Sequence, residues 1–136
     1  MNSLLRVLDA NLNRTKEALR VAEDMARFIL NDARLAGEFK KSRHGLSKTL
    51  LALPVPYAKI LEARNSKQDV GKRSALRDKK NKLDWRDLMI SNMKRAQEGL
   101  RVLEECAKVV SPKQSKNFQK LRFECYELER KSIPKF

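Results

Sequence analysis

The chain has 136 residues, enough for one hydrophobic core but fewer than the length at which cores usually divide into two domains. Hydrophobic residues make up 41% of it, and four glycines and four prolines leave few breaks, which favours helices, while no run approaches the roughly 18 apolar residues of a membrane span. The net charge of +14 predicts anionic partners, such as nucleic acid, a membrane surface or a phosphorylated metabolite.

Apolar residues recur with helical spacing in five stretches. Asp32 is placed as an N-cap before the second stretch, and Pro54 ends it because proline removes a backbone donor. Asp84 and Ser111 are typical N-caps for the last two helices. The predicted helices span residues 3–30, 33–53, 57–64, 84–110 and 112–131, with a long polar loop at 65–82 and a tail at 133–136.

Residues 11–27 and 92–108 are two copies of one helix, identical at eight of 17 aligned positions. Amphipathicity alone repeats apolar positions but does not select the same polar residues, and five of the eight are polar. The identical pairs are Asn11/Asn92, Arg14/Arg95, Glu17/Glu98, Leu19/Leu100, Arg20/Arg101, Val21/Val102, Glu23/Glu104 and Ala26/Ala107. The next helix repeats as well, with Phe39, Lys41 and Arg43 matching Phe118, Lys120 and Arg122.

The repeat predicts an all-α fold, a compact helical bundle of about five helices built from a duplicated helical hairpin. We expect a single helical domain over residues 1–136, with hairpins at 3–53 and 84–131 joined by a short helix and loop at 54–83. Cys106 and Cys125 lack the spacing of a metal site and are predicted to be buried thiols. Residues 1–10 lack the features of a signal peptide, so we expect a cytoplasmic protein.

A helical wheel divides the polar residues into two sets. The set predicted to face inward is Asn11, Arg14, Arg43, Asn92, Arg95 and Arg122; the set predicted to face solvent, in surface ion pairs, is Arg20, Glu23, Asp24, Arg27, Arg101, Glu104, Glu105 and Lys108. A guanidinium on an apolar face needs an anionic partner. Two interpretations stay open: internal pairing with Glu17, Glu98 or another acid, or convergence of the arginines on bound phosphate.

These residues resemble a known family, the helical monofunctional hydroxymethylpyrimidine phosphate kinases of thiamine biosynthesis, which occur alone or fused ahead of thiamine phosphate synthase. The matching stretches cover nearly the whole chain: Asp9-Ala10-Asn11-Leu12-Asn13-Arg14, Glu17 to Val21, Glu23-Asp24, Ala26-Arg27-Phe28, Arg43-His44, Asp69-Val70-Gly71 and Asn92 to Glu105. The resemblance implies transfer of the γ-phosphoryl group of ATP to 4-amino-5-hydroxymethyl-2-methylpyrimidine phosphate (HMP-P), giving the diphosphate (HMP-PP). This chain would be a standalone member of the family.

On this interpretation Arg14 and Arg95 are the catalytic residues. The residues expected to bind substrate or phosphate are Asn11, Arg43, Asn92, Arg122, His44 and Arg64. The acceptor is an anionic phosphate oxygen, so the transfer requires positioning and charge cancellation rather than a catalytic base. No Walker-type glycine loop is present, which leaves side chains and helix ends to hold phosphate.

Mg²⁺ with ATP is the expected cofactor, held by few carboxylates and by substrate oxygens. Asp69, Glu17 and Glu98 are the candidate ligands, although Asp69 is equally placed to cap a turn at Gly71. His44 lies off the apolar face and is retained because the family motif contains Arg43-His44. The expected partners are HMP-P and ATP, with a functional link to thiamine phosphate synthase, and a homodimer that completes the pocket stays open.

Two rival functions use other features of the sequence. The first is a basic nucleic-acid-binding module, favoured by a cluster of charges but opposed by only 6% aromatic residues and the lack of a DNA-reading motif. The basic residues of that cluster are Lys72, Arg73, Arg77, Lys79, Lys80 and Lys82. The second is a noncatalytic pair of hairpins whose arginines are paired internally.

Overall fold

The helix boundaries follow the local capping signals. A computed structural model describes residues 1–72 and 83–136, which contain no strand. The five α-helices are α1 Asn2–Asp24, α2 Ala33–Leu51, α3 Tyr57–Glu62, α4 Trp85–Val110 and α5 Pro112–Ser132. Short 3₁₀ turns follow at Ser66–Gln68 and Ile133–Lys135. The predicted all-α class is confirmed.

The predicted N-caps of three helices are present. The Asp32 side chain accepts a hydrogen bond from the Leu35 amide at 2.9 Å, and Asp84 forms a reciprocal capping box with Asp87. Ser111 caps α5, whose first residue is proline. α2 ends two residues before the predicted boundary, at Leu51, and the predicted tail forms a 3₁₀ turn.

The first hairpin carries two more residues than the second, counted from Asn11 to Phe39 and from Asn92 to Phe118. The extra length lies in a π-helical turn, Met25–Ile29, and in the loop after it, where Asn31 has a φ of 51°. A π turn accommodates an added residue in a helix, and asparagine tolerates positive φ better than most residues. The connection from α1 to α2 is therefore longer than that from α4 to α5, which consists of Ser111.

The hairpins pack through their first helices. α1 contacts α4 most extensively, each is covered by its own second helix, and α3 lies against α1. Phe39 and Phe118, matched positions of the repeat, are both fully buried. Cys125 is also buried, as predicted, and burial raises the pKa of its thiol to about 12. The prediction for Cys106 is wrong, because its side chain is only partly buried.

One largely buried ion pair joins the two helices of each hairpin. Arg43 Nε lies 2.8 Å from Glu23 Oε2 between α2 and α1, and Arg122 Nε lies 2.9 Å from Glu104 Oε2 between α5 and α4. The prediction that Glu23 and Glu104 face solvent is therefore wrong, since they are 7% and 4% exposed. The wheel treats each helix alone, whereas these positions at the edge of the apolar stripe are covered by the second helix of the hairpin.

Candidate functional site

A cleft of about 690 Å³ lies between α1 and α4, and the two repeats line it with matched residues. We call it the central cleft. Its lining consists of five pairs at equivalent positions: Asn11/Asn92, Arg14/Arg95, Glu17/Glu98, Ala18/Gly99 and Val21/Val102. The two halves of the cleft therefore present nearly the same chemistry, related by the internal duplication.

The amides at the base of the central cleft are held in the same way in both repeats. Asn11 Nδ2 donates to the Val7 carbonyl at 2.9 Å, and Asn92 Nδ2 donates to the Leu88 carbonyl at 2.9 Å. Each bond spans one helical turn and fixes the side chain against its own helix. Because one amide hydrogen and the amide oxygen are not used by these bonds, both asparagines retain capacity to bind a ligand.

Arg14 and Arg95 lie at the rim of the central cleft, and the prediction that they face the apolar interior is wrong, because both are exposed. Over residues 1–72 and 83–136, neither guanidinium forms an ion pair with a carboxylate. A helical wheel shows only the direction in which a residue leaves the helix axis. A long side chain at the edge of the apolar stripe extends from that edge to solvent. Both fork-shaped donors are therefore open to an anion.

The central cleft also holds two carboxylates, Glu17 and Glu98, which are exposed beside the arginines. Among the residues that the structure describes, no three His, Cys, Asp or Glu side chains cluster as a metal site. Mg²⁺ commonly uses only one or two carboxylates together with substrate phosphates. The pair Glu17 and Glu98 fits that requirement in number and chemistry, because both carboxylates line the same cavity as the two arginines.

A second cavity of about 810 Å³ adjoins the first along α1. We call it the side pocket. It shares Asn11, Arg14 and Glu17 with the central cleft. Its other lining residues are Ser3, Arg6, Val7, Asp9, Ala10, Asn13, Arg64, Asn65, Ser66 and Asp69. The structure thus brings the predicted residues Arg64 and Asp69 next to Arg14, although they are distant in sequence.

A bidentate ion pair forms the floor of the side pocket. Arg64 Nε and Nη2 each lie 2.7 Å from a carboxylate oxygen of Asp9, whose side chain is 7% exposed. The hydrogen bonds and charge of Asp9 raise the pKa of Arg64. Asp9 was not among the predicted site residues, although a lone acid on the apolar face of α1 beside Leu8 and Leu12 was a detectable signal.

The remaining predicted site residues lie elsewhere. Arg43 and Arg122 line neither cavity, because their guanidinium groups are used in the buried pairs with Glu23 and Glu104. His44 is exposed and also lies outside both cavities. The predicted inward set of six thus separates into four cleft residues and two internally paired arginines.

Asp69 forms the turn with Gly71 that was predicted as the alternative to metal binding. Its Oδ1 accepts from the Gly71 amide at 2.8 Å, and the same side chain lines the side pocket. One carboxylate oxygen is occupied by the turn, and within residues 1–72 and 83–136 no hydrogen bond uses the other. The structure therefore places Asp69 near Glu17 but not at Glu98, which lines only the central cleft.

Most of the predicted basic cluster lies outside the described residues, namely Arg73, Arg77, Lys79, Lys80 and Lys82. Lys72 is described and is exposed.

No helix within residues 1–72 and 83–136 has the length and apolar character needed to span a membrane.

Known proteins resemble this chain over most of its length. The model of the ThiD2 family matches residues 6–131. The chain is 36% identical over 127 residues to a thiamine-phosphate synthase of Synechocystis sp., covering 93% of this chain and 35% of that protein. Corresponding proteins of Nostoc punctiforme and Rhodopirellula baltica are 35% and 33% identical over 124 residues, covering 91% of this chain and 34% and 32% of their own lengths. The chain thus spans about a third of these relatives, and no solved structure matches it.

Proposed function

This chain belongs to the ThiD2 family, and on that premise we propose that it is a kinase that transfers the γ-phosphoryl group of ATP to HMP-P. A role in thiamine biosynthesis is supported by the family and by relatives that are named thiamine-phosphate synthase. The kinase reaction is the finer part of the proposal. It forms a bond between an oxygen of the HMP-P phosphate and the γ-phosphorus, breaks the bond to the β-phosphate, and yields HMP-PP and ADP.

The observation that carries the proposal is the matched lining of the central cleft. Two exposed arginines, Arg14 and Arg95, approach one space from two helices without using their charge on a protein carboxylate in the described residues. A reaction between two phosphorylated substrates needs charge cancellation from two directions. A cleft with two equivalent half-sites provides one for each phosphate.

The chemistry does not require a side chain that removes a proton. The attacking oxygen of a phosphate monoester is already anionic near neutral pH, so the protein has to orient two phosphates and offset their repulsion. Asn11 and Asn92, each fixed by a hydrogen bond to its own helix, are rigid donors for phosphate oxygens. The exposed position of His44, outside both cavities, is consistent with a reaction that needs no histidine base.

Glu17 and Glu98 are the residues that we propose to hold Mg²⁺ with the ATP phosphates, because both face the central cleft. The bound ion would neutralise part of the phosphate charge. The carboxylates also keep the cleft near electrical balance, since two acids accompany two arginines. This arrangement favours a metal-bound nucleotide over a bare polyanion.

The direct test is incubation of the chain with ATP, Mg²⁺ and HMP-P, with the product identified by mass and ADP measured in parallel. We expect HMP-PP and ADP in equal amounts. Absence of both above background would exclude the kinase. Omission of Mg²⁺ is expected to reduce turnover strongly, and turnover that is unchanged in a chelator would remove Glu17 and Glu98 from the proposal.

The arginines of the central cleft are tested with matched controls on the same helices. We expect Arg14→Ala and Arg95→Ala each to lower kcat/KM about 100-fold, because each removes charge stabilisation of a transferring phosphate. Arg20→Ala and Arg101→Ala remove exposed arginines six residues further along, which pair with neighbouring acids.

The two control variants are expected to keep kcat/KM within about threefold of the wild type. Circular dichroism and urea unfolding establish that all four variants are folded. A noncatalytic role for the duplicated hairpins would instead give cleft variants with reduced stability and no effect on turnover.

A further inference from the structure

The side pocket distinguishes the two halves of an otherwise duplicated site. The central cleft is lined by matched pairs, but the side pocket is built on the first repeat alone, with the segment that follows α3. In the second repeat Ile90 stands in the place of Asp9, and Lys94 in the place of Asn13. The second repeat therefore has no carboxylate at the position of Asp9 to hold an arginine. Because the two half-sites differ in this way, ATP and HMP-P need not be interchangeable.

The side pocket is not a third anion site. Two N–H groups of Arg64 are directed at the two oxygens of Asp9, so this guanidinium is already neutralised. The remaining charged side chains of the lining are Arg6 and Arg14 against Glu17 and Asp69. Arg14 and Glu17 belong to the wall shared with the central cleft, so the side pocket itself adds only one arginine and one acid, Arg6 and Asp69, and a neutral polar group fits this lining better than another phosphate does.

The side pocket and the central cleft share one wall, formed by Asn11, Arg14 and Glu17 on α1. A ligand whose neutral part lies in the side pocket has a direct route for its phosphates past Arg14 into the first-repeat half of the central cleft. Arg95 lines only the central cleft, so the half of the second repeat receives the other phosphorylated molecule.

Eleven of the 13 residues that line the side pocket are polar or charged, and the other two are Val7 and Ala10. Asn65 supplies an amide group and Ser66 supplies a hydroxyl group. Both residues lie in the segment after α3, which is distant in sequence from α1. Vicinal hydroxyls of a sugar each need a donor or acceptor, whereas a methylated pyrimidine ring buries apolar surface and gains little from such a lining. The polar character and the volume of about 810 Å³ both favour the sugar-bearing molecule.

We infer that the side pocket holds the nucleoside of the phosphoryl donor, with its ribose hydroxyls at Asn65 and Ser66, so that the first repeat binds ATP and the second binds the phosphorylated acceptor. The inference rests on the proposed kinase function. It assigns different tasks to Arg14 and Arg95, which the sequence repeat makes equivalent: Arg14 meets the donor phosphates, and Arg95 meets the acceptor phosphate.

The test compares Asn65→Ala/Ser66→Ala with the wild type for both substrates. Asn117→Ala is the control, because Asn65 donates to Gln68 at 3.0 Å and Asn117 donates to Gln114 at 2.8 Å over the same sequence spacing, the first contact being exposed and the second partly buried. We expect the KM for ATP to rise about tenfold in the double variant, with the KM for HMP-P and kcat unchanged within about twofold. The control is expected to match the wild type.

A ribose analogue makes the test specific. Binding of ATP and of 2′,3′-dideoxy-ATP is measured by calorimetry without the acceptor, and we expect the wild type to prefer ATP about tenfold and the double variant to lose that preference. A preference that persists in the variant, or a rise in the KM for HMP-P instead of ATP, would overturn the inference. Absence of HMP-PP from the wild type would overturn the kinase proposal itself, and the calorimetry would still report where the nucleotide binds.

Discussion

Glu23 and Glu104 each lie between a largely buried and an exposed arginine. Glu23 contacts Arg43 at 2.8 Å and Arg20 at 3.6 Å. Glu104 does the same with Arg122 at 2.8 Å and Arg101 at 3.7 Å. The polar identities shared by the repeats therefore have two physical causes: an ion pair that joins the helices of each hairpin, and a cleft lined from both hairpins.

The ion pair of the first hairpin is expected to be structural. Arg43→Ala leaves Glu23 nearly buried without its main partner, so we expect the free energy of unfolding to fall by about 3 kcal/mol in urea titrations. Arg20→Ala, at the exposed side of the same carboxylate, is expected to cost less than about 1 kcal/mol. A stable Arg43→Ala protein with a raised KM for a substrate would instead support the earlier prediction that Arg43 binds phosphate.

The same pair predicts a dependence of stability on pH. Burial raises the pKa of Glu23, but the hydrogen bond and charge of Arg43 outweigh it and hold the pKa below its ordinary value of 4.5. A lowered pKa in the folded state contributes stability that is complete above 4.5 and is lost as the pH falls through the folded-state value.

We therefore expect the free energy of unfolding to decline as the pH falls below 4.5, and Glu23→Gln to decline less over the same range. Urea titrations at a series of pH values measure both proteins. The variant starts from a lower stability at neutral pH because Arg43 loses its anionic partner. Equal slopes in the two proteins would show that Glu23 titrates no differently in the folded and unfolded chain.

The sequence predicted the helix boundaries more accurately than it predicted which side chains are buried. Asp32, Asp84 and Ser111 act as the predicted caps because a cap is a local interaction within one turn. The π turn at Met25–Ile29 was missed, since one added residue hardly disturbs an apolar period averaged over a long helix. Glu23 was assigned to the surface because its burial depends on α2, which a single-helix projection leaves out.

The crossing of α1 and α4 depends on a glycine. A Cβ on Gly99 would overlap Thr15 Oγ1, a fully buried hydroxyl without a hydrogen-bond partner in the described part of the chain. Gly99 also lines the central cleft, so the separation of these helices sets the distance across the two half-sites. At the equivalent positions the repeats carry Ala18 and Ala96.

We expect Gly99→Ala to lower the free energy of unfolding by about 1–3 kcal/mol and to reduce turnover, because Thr15 is β-branched and has little freedom to move in a helix. Thr15→Ala/Gly99→Ala places alanine at both positions, as in the equivalent pair, and is expected to recover most of the stability. Urea unfolding and turnover are measured on both. A double variant no better than Gly99→Ala would show that Thr15 is not the source of the clash.

The duplicated architecture was predictable, whereas the full site was not. Identical polar residues at Asn11/Asn92 and Arg14/Arg95 were sufficient to indicate two equivalent half-sites, and the structure brings these residues to one cleft. The side pocket joins Asp9 to Arg64 across 55 residues, and no periodicity links an acid on one helix to an arginine beyond another. Pairing at that distance is visible only in three dimensions.

The packing predicts that neither hairpin folds alone. α1 packs more extensively against α4 than against α2, so a fragment of residues 1–56 would expose the buried face that carries Thr15 and Ala18. We expect weak helical signals from fragments 1–56 and 83–136 separately, and a gain of helix on mixing, measured by circular dichroism. Cooperative thermal unfolding of either fragment alone would contradict this expectation.

The matched lining of the central cleft has a kinetic consequence under the proposed function. Because Asn11 and Arg14 in one half-site have the same chemistry as Asn92 and Arg95 in the other, a phosphate has little basis for choosing between them. HMP-P in excess is therefore expected to enter the first half-site as well and to slow turnover, whereas ATP is directed to the first repeat by its nucleoside in the side pocket. Inhibition by excess HMP-P is thus a consequence of the duplicated half-sites, and a short molecule with a phosphate at each end is expected to bind both halves at once.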